Sequence, residues 1–179
     1  MEELFEYKDY LHEYDNVQSE LIIGEIDERL TPLVSVIMPI YNHPMYFEKS
    51  LLSVLGQKCN FPYEVIIIDN NHPDFQKENQ QIVEQYWSNN VRYYVNSDNL
   101  TSIGSENKGI IYSRGKYVTF CHDDDLLYED TLQILVDWSF SLKNEDSAIF
   151  GRVTIINEKG DSISKNSEWD SCFLKTKTC

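Results

Sequence analysis

Basic residues are scarce in this chain: 15 Lys and Arg stand against 30 Asp and Glu, a formal net charge of −15 over 179 residues. Broad contact with nucleic acid or an anionic membrane requires a basic face, and this balance argues against one. A phosphate ligand would have to be bound locally, through a metal ion, a helix N-terminus or single side chains. Long apolar runs are also missing. None approaches the ~20 residues of a membrane span, and no basic start leads into an apolar segment at the N-terminus, so neither insertion nor export is expected. The expected location is the cytoplasm, with peripheral attachment to a membrane complex left open. Cys59, Cys121, Cys172 and Cys179 show no Cys-x-x-Cys spacing, which favours a reducing compartment. There are only seven glycines, and no glycine-rich basic loop follows the first strand, which counts against a nucleotidyltransferase. Internal repeats and low-complexity tracts are absent as well.

What is present is a core-forming composition, 41% hydrophobic and 13% aromatic, enough for one globular domain and short for two. Residues 1–31 are acidic and tyrosine-rich, with a weak apolar cluster at Leu21-Ile22-Ile23, and read as an N-terminal extension, partly helical and loosely packed. From about Pro32 short apolar runs alternate with helical periodicity, which predicts an α/β fold on a mostly parallel sheet. Val34 through Tyr41 is the first strand. A helix then starts at Asn42-His43-Pro44 and buries Phe47, Leu51 and Leu55 before Gly56. Glu64 through Ile68 is the second strand. Asp74 opens a helix with Ile82, Val83 and Tyr86 inward, and Val91 through Val95 is the third strand. A third helix covers Gly104 to Ser113, with Ile103, Asn107, Ile110 and Ile111 on one side and Gly115 at its end. Tyr117 through Cys121 is the fourth strand. A helix marked by Leu132, Leu135, Val136 and Phe140 follows, then a fifth strand from Ala148-Ile149-Phe150 and a hairpin turn at Asn157-Glu158-Lys159-Gly160.

The sharpest chemical signal is His122-Asp123-Asp124-Asp125 at the end of the fourth strand. Consecutive carboxylates repel, and a fold that holds them together calls for a cation or a polar ligand. Oxygen ligands suit hard ions, and Mg²⁺ in particular is held by one or two carboxylates plus the phosphates of a nucleotide. A solvated turn that caps the next helix is the plainer alternative, since Asp is favoured at both places. His122 has three outcomes open to it: metal ligation, a hydrogen bond to Asp124, or solvent.

In an open parallel sheet, ligands bind outside the carboxyl ends of the strands where the strand order reverses. Tyr41-Asn42, Asp69-Asn70-Asn71 and the acidic run all fall at such ends. Tyr41 could stack on a nucleobase or close the top of the core. Asp69 and Asn70 could meet the base or ribose, or form an Asx turn. Asn107 could tie its helix to a neighbouring loop or contact a ligand. Gly104 would permit close backbone approach of a phosphate at a helix start.

In order and spacing, Val34-Ser35-Val36-Ile37-Met38-Pro39-Ile40-Tyr41-Asn42, Ser50-Leu51-Leu52-Ser53-Val54-Leu55-Gly56-Gln57 and Glu64-Val65-Ile66-Ile67-Ile68-Asp69-Asn70-Asn71 resemble the opening of a family 2 glycosyltransferase with the GT-A, Rossmann-like fold. The likeness continues through Asn99, Gly104, Asn107-Lys108-Gly109-Ile110 and Gly115-Lys116-Tyr117-Val118-Thr119-Phe120 into the acidic run, covering about Pro32 to Leu142. It implies a nucleotide-diphospho-sugar donor of the UDP or dTDP type, a Mg²⁺ or Mn²⁺ ion, and inverting transfer to a hydroxyl of a saccharide or lipid-linked acceptor. Polysaccharide or glycoconjugate synthesis is the implied setting, and a hexosyltransferase the implied enzyme. Carried across, Pro39, Tyr41, Asn42, Asp69, Asn70, Gly104, Asn107 and Asp123 would line the nucleotide-sugar site. Asp124 would meet the metal, with Asp125 and His122 beside it.

Three positions depart from the family pattern. His122 stands for the first Asp of Asp-x-Asp-Asp, Asn70 for a common second Asp, and Glu106 for a common Arg. The family's general base lies tens of residues beyond the acidic run. Here Asp161, Glu168 and Asp170 sit in a polar tail, so residues 32–179 are expected to be a GT-A domain cut short before its acceptor-binding part, with no catalytic base assigned. The alternative from another class is a non-catalytic module that binds a sugar nucleotide or metal. A phosphoacceptor receiver domain is disfavoured, because Tyr41-Asn42 and Gly151-Arg152 occupy the places of its acidic pair and lysine.

Overall fold

The aliphatic and β-branched runs form strands, and the two central ones are inaccessible on both faces, as parallel strands covered by helices must be. A computed structural model of the chain describes residues 10–142, 148–151 and 153–163. Its elements are β1 (Ser19–Ile23), β2 (Val34–Ile40), α1 (Pro44–Leu55), β3 (Tyr63–Asp69), α2 (Gln76–Tyr86), β4 (Val91–Asn96), α3 (Thr101–Tyr112), β5 (Tyr117–Phe120) and α4 (Thr131–Ser141). The sheet order is β1-β4-β3-β2-β5. β4, β3, β2 and β5 run parallel, and β1 pairs antiparallel with β4. Every residue of β2 is buried, and all of β3 except Tyr63. The chain divides into two compact units, residues 1–130 with the sheet and residues 131–179 with α4.

The N-terminal segment is more than a loose leader. Ser19–Ile23 adds an edge strand, with Ser19 opposite Asn96 and Leu21 opposite Tyr94. Ahead of it, Tyr10 and Tyr14 lie on α3: the Asn107 amide donates to the Tyr10 carbonyl at 2.8 Å, and the Tyr14 ring sits over Gly104. The apolar cluster at Leu21-Ile22-Ile23 was too short to show period-2 alternation, so only the neighbouring strand reveals its pairing.

The helix α3 also turns differently from its expected face. Ile103 is 63% exposed and Ile111 38%, while Gly104, Ser105, Lys108 and Gly109 are buried. Small residues here let the helix approach β2 and β3 closely. A methyl group on Gly109 would run into the buried Ile37 side chain. Gly109→Ala should therefore lower stability by a net ~2 kcal/mol, as an overpacking cost near ~3 kcal/mol exceeds the ~1 kcal/mol alanine gains in helix propensity. The urea midpoint reads this directly, and an unchanged midpoint would refute the close packing.

Other elements follow the expected pattern with shifted detail. Pro44 starts α1 and Gly56 ends it, with Phe47, Ser50, Leu51 and Val54 buried. In α2 the buried pair is Asn79 and Val83. In α4 Leu132 and Val136 are buried, but Phe140, expected inward, is 70% exposed. Residues 148–150 form no strand. The turn at 157–160 is present, closed by Gly160 N–H to the Asn157 carbonyl at 2.8 Å and flanked by an isolated bridge between Ile156 and Ser162.

At the amino ends of the strands, Glu64 is 1% exposed and accepts four hydrogen bonds from three residues. It accepts from Ser35 Oγ at 2.7 Å, the Arg114 backbone N–H at 2.7 Å, Arg92 Nη2 at 2.8 Å and Arg114 Nε at 3.4 Å. Arg114 reaches on to the carbonyls of Asp27 and Leu30, fastening the segment between β1 and β2.

Candidate functional site

The chain steps from β2 to β3 to β4 in one direction, then returns through α3 to place β5 on the other side of β2. The strand order therefore reverses at the β2/β5 pair, and the loops after these strands are the expected ligand crevice. Pro39 fits at this point for a backbone reason. Parallel strand residues face alternate neighbours, and Ile37 faces β5, its carbonyl accepting from Cys121 N–H at 3.0 Å. Pro39 faces the same way, one step past the end of that ladder, so its missing N–H leaves no bond unmade. It is buried within β2, paired with Ile68.

Asp123 clasps the two loops together. Its carboxylate accepts from the Tyr41 backbone N–H at 3.1 Å, and its carbonyl accepts from Ser50 Oγ at 2.9 Å, with only 8% of the residue exposed. His43, at the start of α1, places Nδ1 3.6 Å from the other carboxylate oxygen. Tyr41 is half-buried and Asn42 exposed. The sequence placed His43 at a helix start and Ser50 in a helical motif, and neither was expected at the site, because neither lies in a run of chemically unusual residues.

The rest of the acidic run divides by direction. His122 Nε2 lies 3.2 Å from Glu106 Oε1 on α3, so two of the departures from the family pattern meet each other. Asp124 and Asp125 are exposed, and no described cation pairs with either. Although Asp125 is exposed as a residue, partial desolvation of its carboxyl and then the neighbouring Asp124 push it above its ordinary range, with His122 opposing. Burial and the charges of Asp125, Asp124 and Asp123 push the Cys121 thiol up to about 12, which leaves it an inert core residue. Among the described residues no group of three His, Cys, Asp or Glu side chains gathers as a metal cluster. The two exposed carboxylates are donors of the kind that suits a hard divalent ion completed by phosphate oxygens.

Asp69 and Asn70 turn inward. Asp69 accepts from Tyr93 Oη at 2.6 Å, Asn79 Nδ2 at 3.1 Å and Asn71 N–H at 2.8 Å, and is fully buried. Burial raises its carboxyl above the ordinary value, and these hydrogen bonds offset only part of that. Asn70 Oδ1 accepts from Leu100 N–H at 3.0 Å, Ser105 Oγ at 2.8 Å and Asn96 Nδ2 at 3.1 Å, while Nδ2 donates to the Thr101 carbonyl at 3.1 Å. Their hydrogen-bonding capacity is committed to joining β3, β4 and the start of α3. At Gly104 a side chain would run into Leu100 and the Tyr14 ring, so these two already make a close approach there. Asn107 takes the structural of its two roles, held by Tyr10.

Past Asn71, which adopts φ 56, the loop carries two rings that no sequence pattern groups with Tyr41. His72 meets Tyr41 edge-on at 4.7 Å between centroids and stacks on Phe75 at 4.6 Å. On the second unit, Asp161 belongs to the 157–161 turn, bonded to Asn157, while Glu168 and Asp170 lie outside the described residues. No described helix is long and apolar enough to cross a membrane.

Comparison with known proteins agrees with this architecture. An uncharacterised glycosyltransferase of Rickettsia felis is 30% identical over 132 residues, 74% of this chain and 21% of the relative. The poly(ribitol-phosphate) beta-N-acetylglucosaminyltransferase TarP of Staphylococcus aureus is 33% identical over 136 residues, 74% of this chain and 39% of TarP. Among solved structures, S. aureus TarS 1–349 in complex with UDP superposes with a TM-score of 0.53 at 27% identity, covering 60% of this chain and 32% of that one. The chain thus spans well under two thirds of the length of each of these proteins. The sheet is that of the GT-A glycosyltransferases. The profile of glycosyl transferase family 2 matches residues 35–178, and the chain belongs to that family.

Proposed function

We propose that this chain forms the donor-binding part of an inverting hexosyltransferase that uses a nucleotide-diphospho-sugar of the UDP or dTDP type. The sugar passes to a hydroxyl of a saccharide or lipid-linked acceptor, in polysaccharide or glycoconjugate assembly. The observation that carries this reading is the clasp at the strand-order reversal. Asp123 fixes the Tyr41 loop against the acidic loop, and Asp124 and Asp125 are left exposed beside it. Tyr41 would support the base and Asn42 would lie along the nucleotide. Asp69 and Asn70 would act indirectly, by setting the β3 loop. The relative crystallised with UDP and the relative named as an N-acetylglucosaminyltransferase of a polymer favour this donor class and setting.

Asp124, with Asp125, would hold the Mg²⁺ or Mn²⁺ ion, which on binding neutralises the diphosphate leaving group. Glu106, on α3, holds His122 by its Nε2 at 3.2 Å. In the transfer itself, the acceptor oxygen forms a bond to the anomeric carbon as the bond from that carbon to the diphosphate oxygen breaks. The acceptor proton needs a base, and none is assigned among the described residues.

Calorimetric titration of the chain with UDP and dTDP, with and without Mn²⁺, tests the reading. Binding should require the metal, and Asp124→Ala should weaken it at least about tenfold, equivalent to ~1.4 kcal/mol. Absence of binding, or equal binding by the variant, would overturn the donor site. A transfer assay with UDP-sugars then separates an enzyme from a module that only binds.

A further inference from the structure

We propose that His72 reads the nucleobase of the donor, donating a hydrogen bond from Nε2 to the C4 keto oxygen of a uracil- or thymine-type base seated against Tyr41. This rests on the nucleotide-sugar reading above and extends it to a residue outside the family motifs. The loop after β3 reaches Tyr41 through His72, and the two polar residues that lead into it are spent. Asp69 accepts three internal hydrogen bonds, and Asn70 has both amide atoms engaged. Both face the interior, Asp69 fully buried and Asn70 4% exposed, so neither presents an edge to a base.

His72 does. Its Nδ1 accepts from the Asp74 backbone N–H at 3.2 Å, which requires the lone pair on Nδ1 and so puts the proton of the neutral ring on Nε2. No described residue accepts from that Nε2–H. The ring cannot turn easily to another role, because it is stacked on Phe75 with an interplanar angle of 30° and lies edge-on to Tyr41 at 63°. It is half-buried, so its donor is held in position and still reachable. Uracil and thymine present a carbonyl at the pyrimidine C4 position, whereas cytosine presents an amino group. A fixed donor accepts the first pair and faces a second donor in cytosine. A site that leaves a polar group unpaired with the wrong ligand discriminates far better than an apolar contact can.

The experiment is titration of the full chain with UDP and CDP in Mn²⁺, for the wild type, His72→Phe and His72→Gln. The wild type should favour UDP by about tenfold, the effect of one hydrogen bond made or lost. His72→Phe keeps a ring on Phe75 but lacks the donor, and should bring the UDP/CDP ratio to about one through weaker UDP binding. His72→Gln retains a donor and should keep part of the preference. Equal wild-type affinities, or an unchanged ratio in His72→Phe, would overturn the proposal while leaving the nucleotide site intact. A merely structural ring would weaken both nucleotides together, which also overturns it. Absence of any nucleotide binding by the wild type would instead overturn the donor reading itself, and this inference with it.

Discussion

Glu64→Ala should lower the stability of the fold by about 3–5 kcal/mol, the usual cost of removing one partner from a buried ion pair. The loss is large because Arg92 remains behind with its guanidinium only 5% exposed, and because Ser35 Oγ and the Arg114 N–H lose their acceptor. Arg92 keeps its bonds to Tyr94 Oη and the Tyr112 carbonyl, which donate no charge to balance it. Urea denaturation followed by circular dichroism measures the effect, and a change under ~1 kcal/mol would show that the cluster is solvated. The pH dependence has a definite sign. Burial pushes the Glu64 carboxyl up, but hydrogen bonds from Ser35 and the Arg114 N–H, with the Arg92 charge, more than reverse this and hold it below the ordinary value. A carboxylate lowered on folding contributes stability above its unfolded pKa near ~4.3 and loses it as pH falls through the lower folded value. The gap between wild type and variant should therefore be full at neutral pH and shrink with acidification. Because this cluster lies at the amino ends of the strands, folded Glu64→Ala should bind nucleotide as the wild type does.

Asn70→Ala should cost about 3 kcal/mol. It strips the acceptor from the Leu100 N–H, which lies at a residue 2% exposed, and from Ser105 Oγ, and the donor from the Thr101 carbonyl. Each buried group left unpaired costs about 1–3 kcal/mol, and partial relaxation keeps the sum near the low end. Thr101 already adopts φ 64, an unfavourable conformation for a β-branched residue, and the Asn70 bond helps hold it. Asn70→Asp separates the two halves of the amide. It preserves the acceptor for three donors but buries an unpaired carboxylate, at a residue 4% exposed, against the Thr101 carbonyl, so it should cost at least as much as alanine at neutral pH and less once acid protonates it. Denaturation midpoints for both variants check this order. If Asp remained as destabilising as Ala in mild acid, where its carboxyl is protonated, the acceptor role assigned to Oδ1 would be wrong.

These two residues show how the sequence could be read and where it could not. Glu64 opens a strand that reads as wholly apolar, and only the neighbouring strands reveal why a charge is tolerated there. Asn70 sits where the family pattern suggests a base contact, but its side chain faces Asn96 and Ser105, residues 26 and 35 positions away along the chain. The direction of a side chain at a strand end depends on which loop crosses above it, and local periodicity carries no such information.

The sequence by itself determined the alternation of strands and helices from Val34 onward, the positions of the caps around α1, and the arrival of the acidic run at the end of β5. Those features follow from hydrophobic period, proline and glycine chemistry and residue charge, all of which act within a few positions. Tertiary structure decided the rest. It recruited Ser19–Ile23 as an edge strand, turned the glycine and serine face of α3 toward the sheet, and paired Glu106 with His122. It also brought His72 and Phe75 up to Tyr41. Each of these depends on contacts between residues far apart in the chain, where close packing and hydrogen-bond satisfaction outweigh local preference.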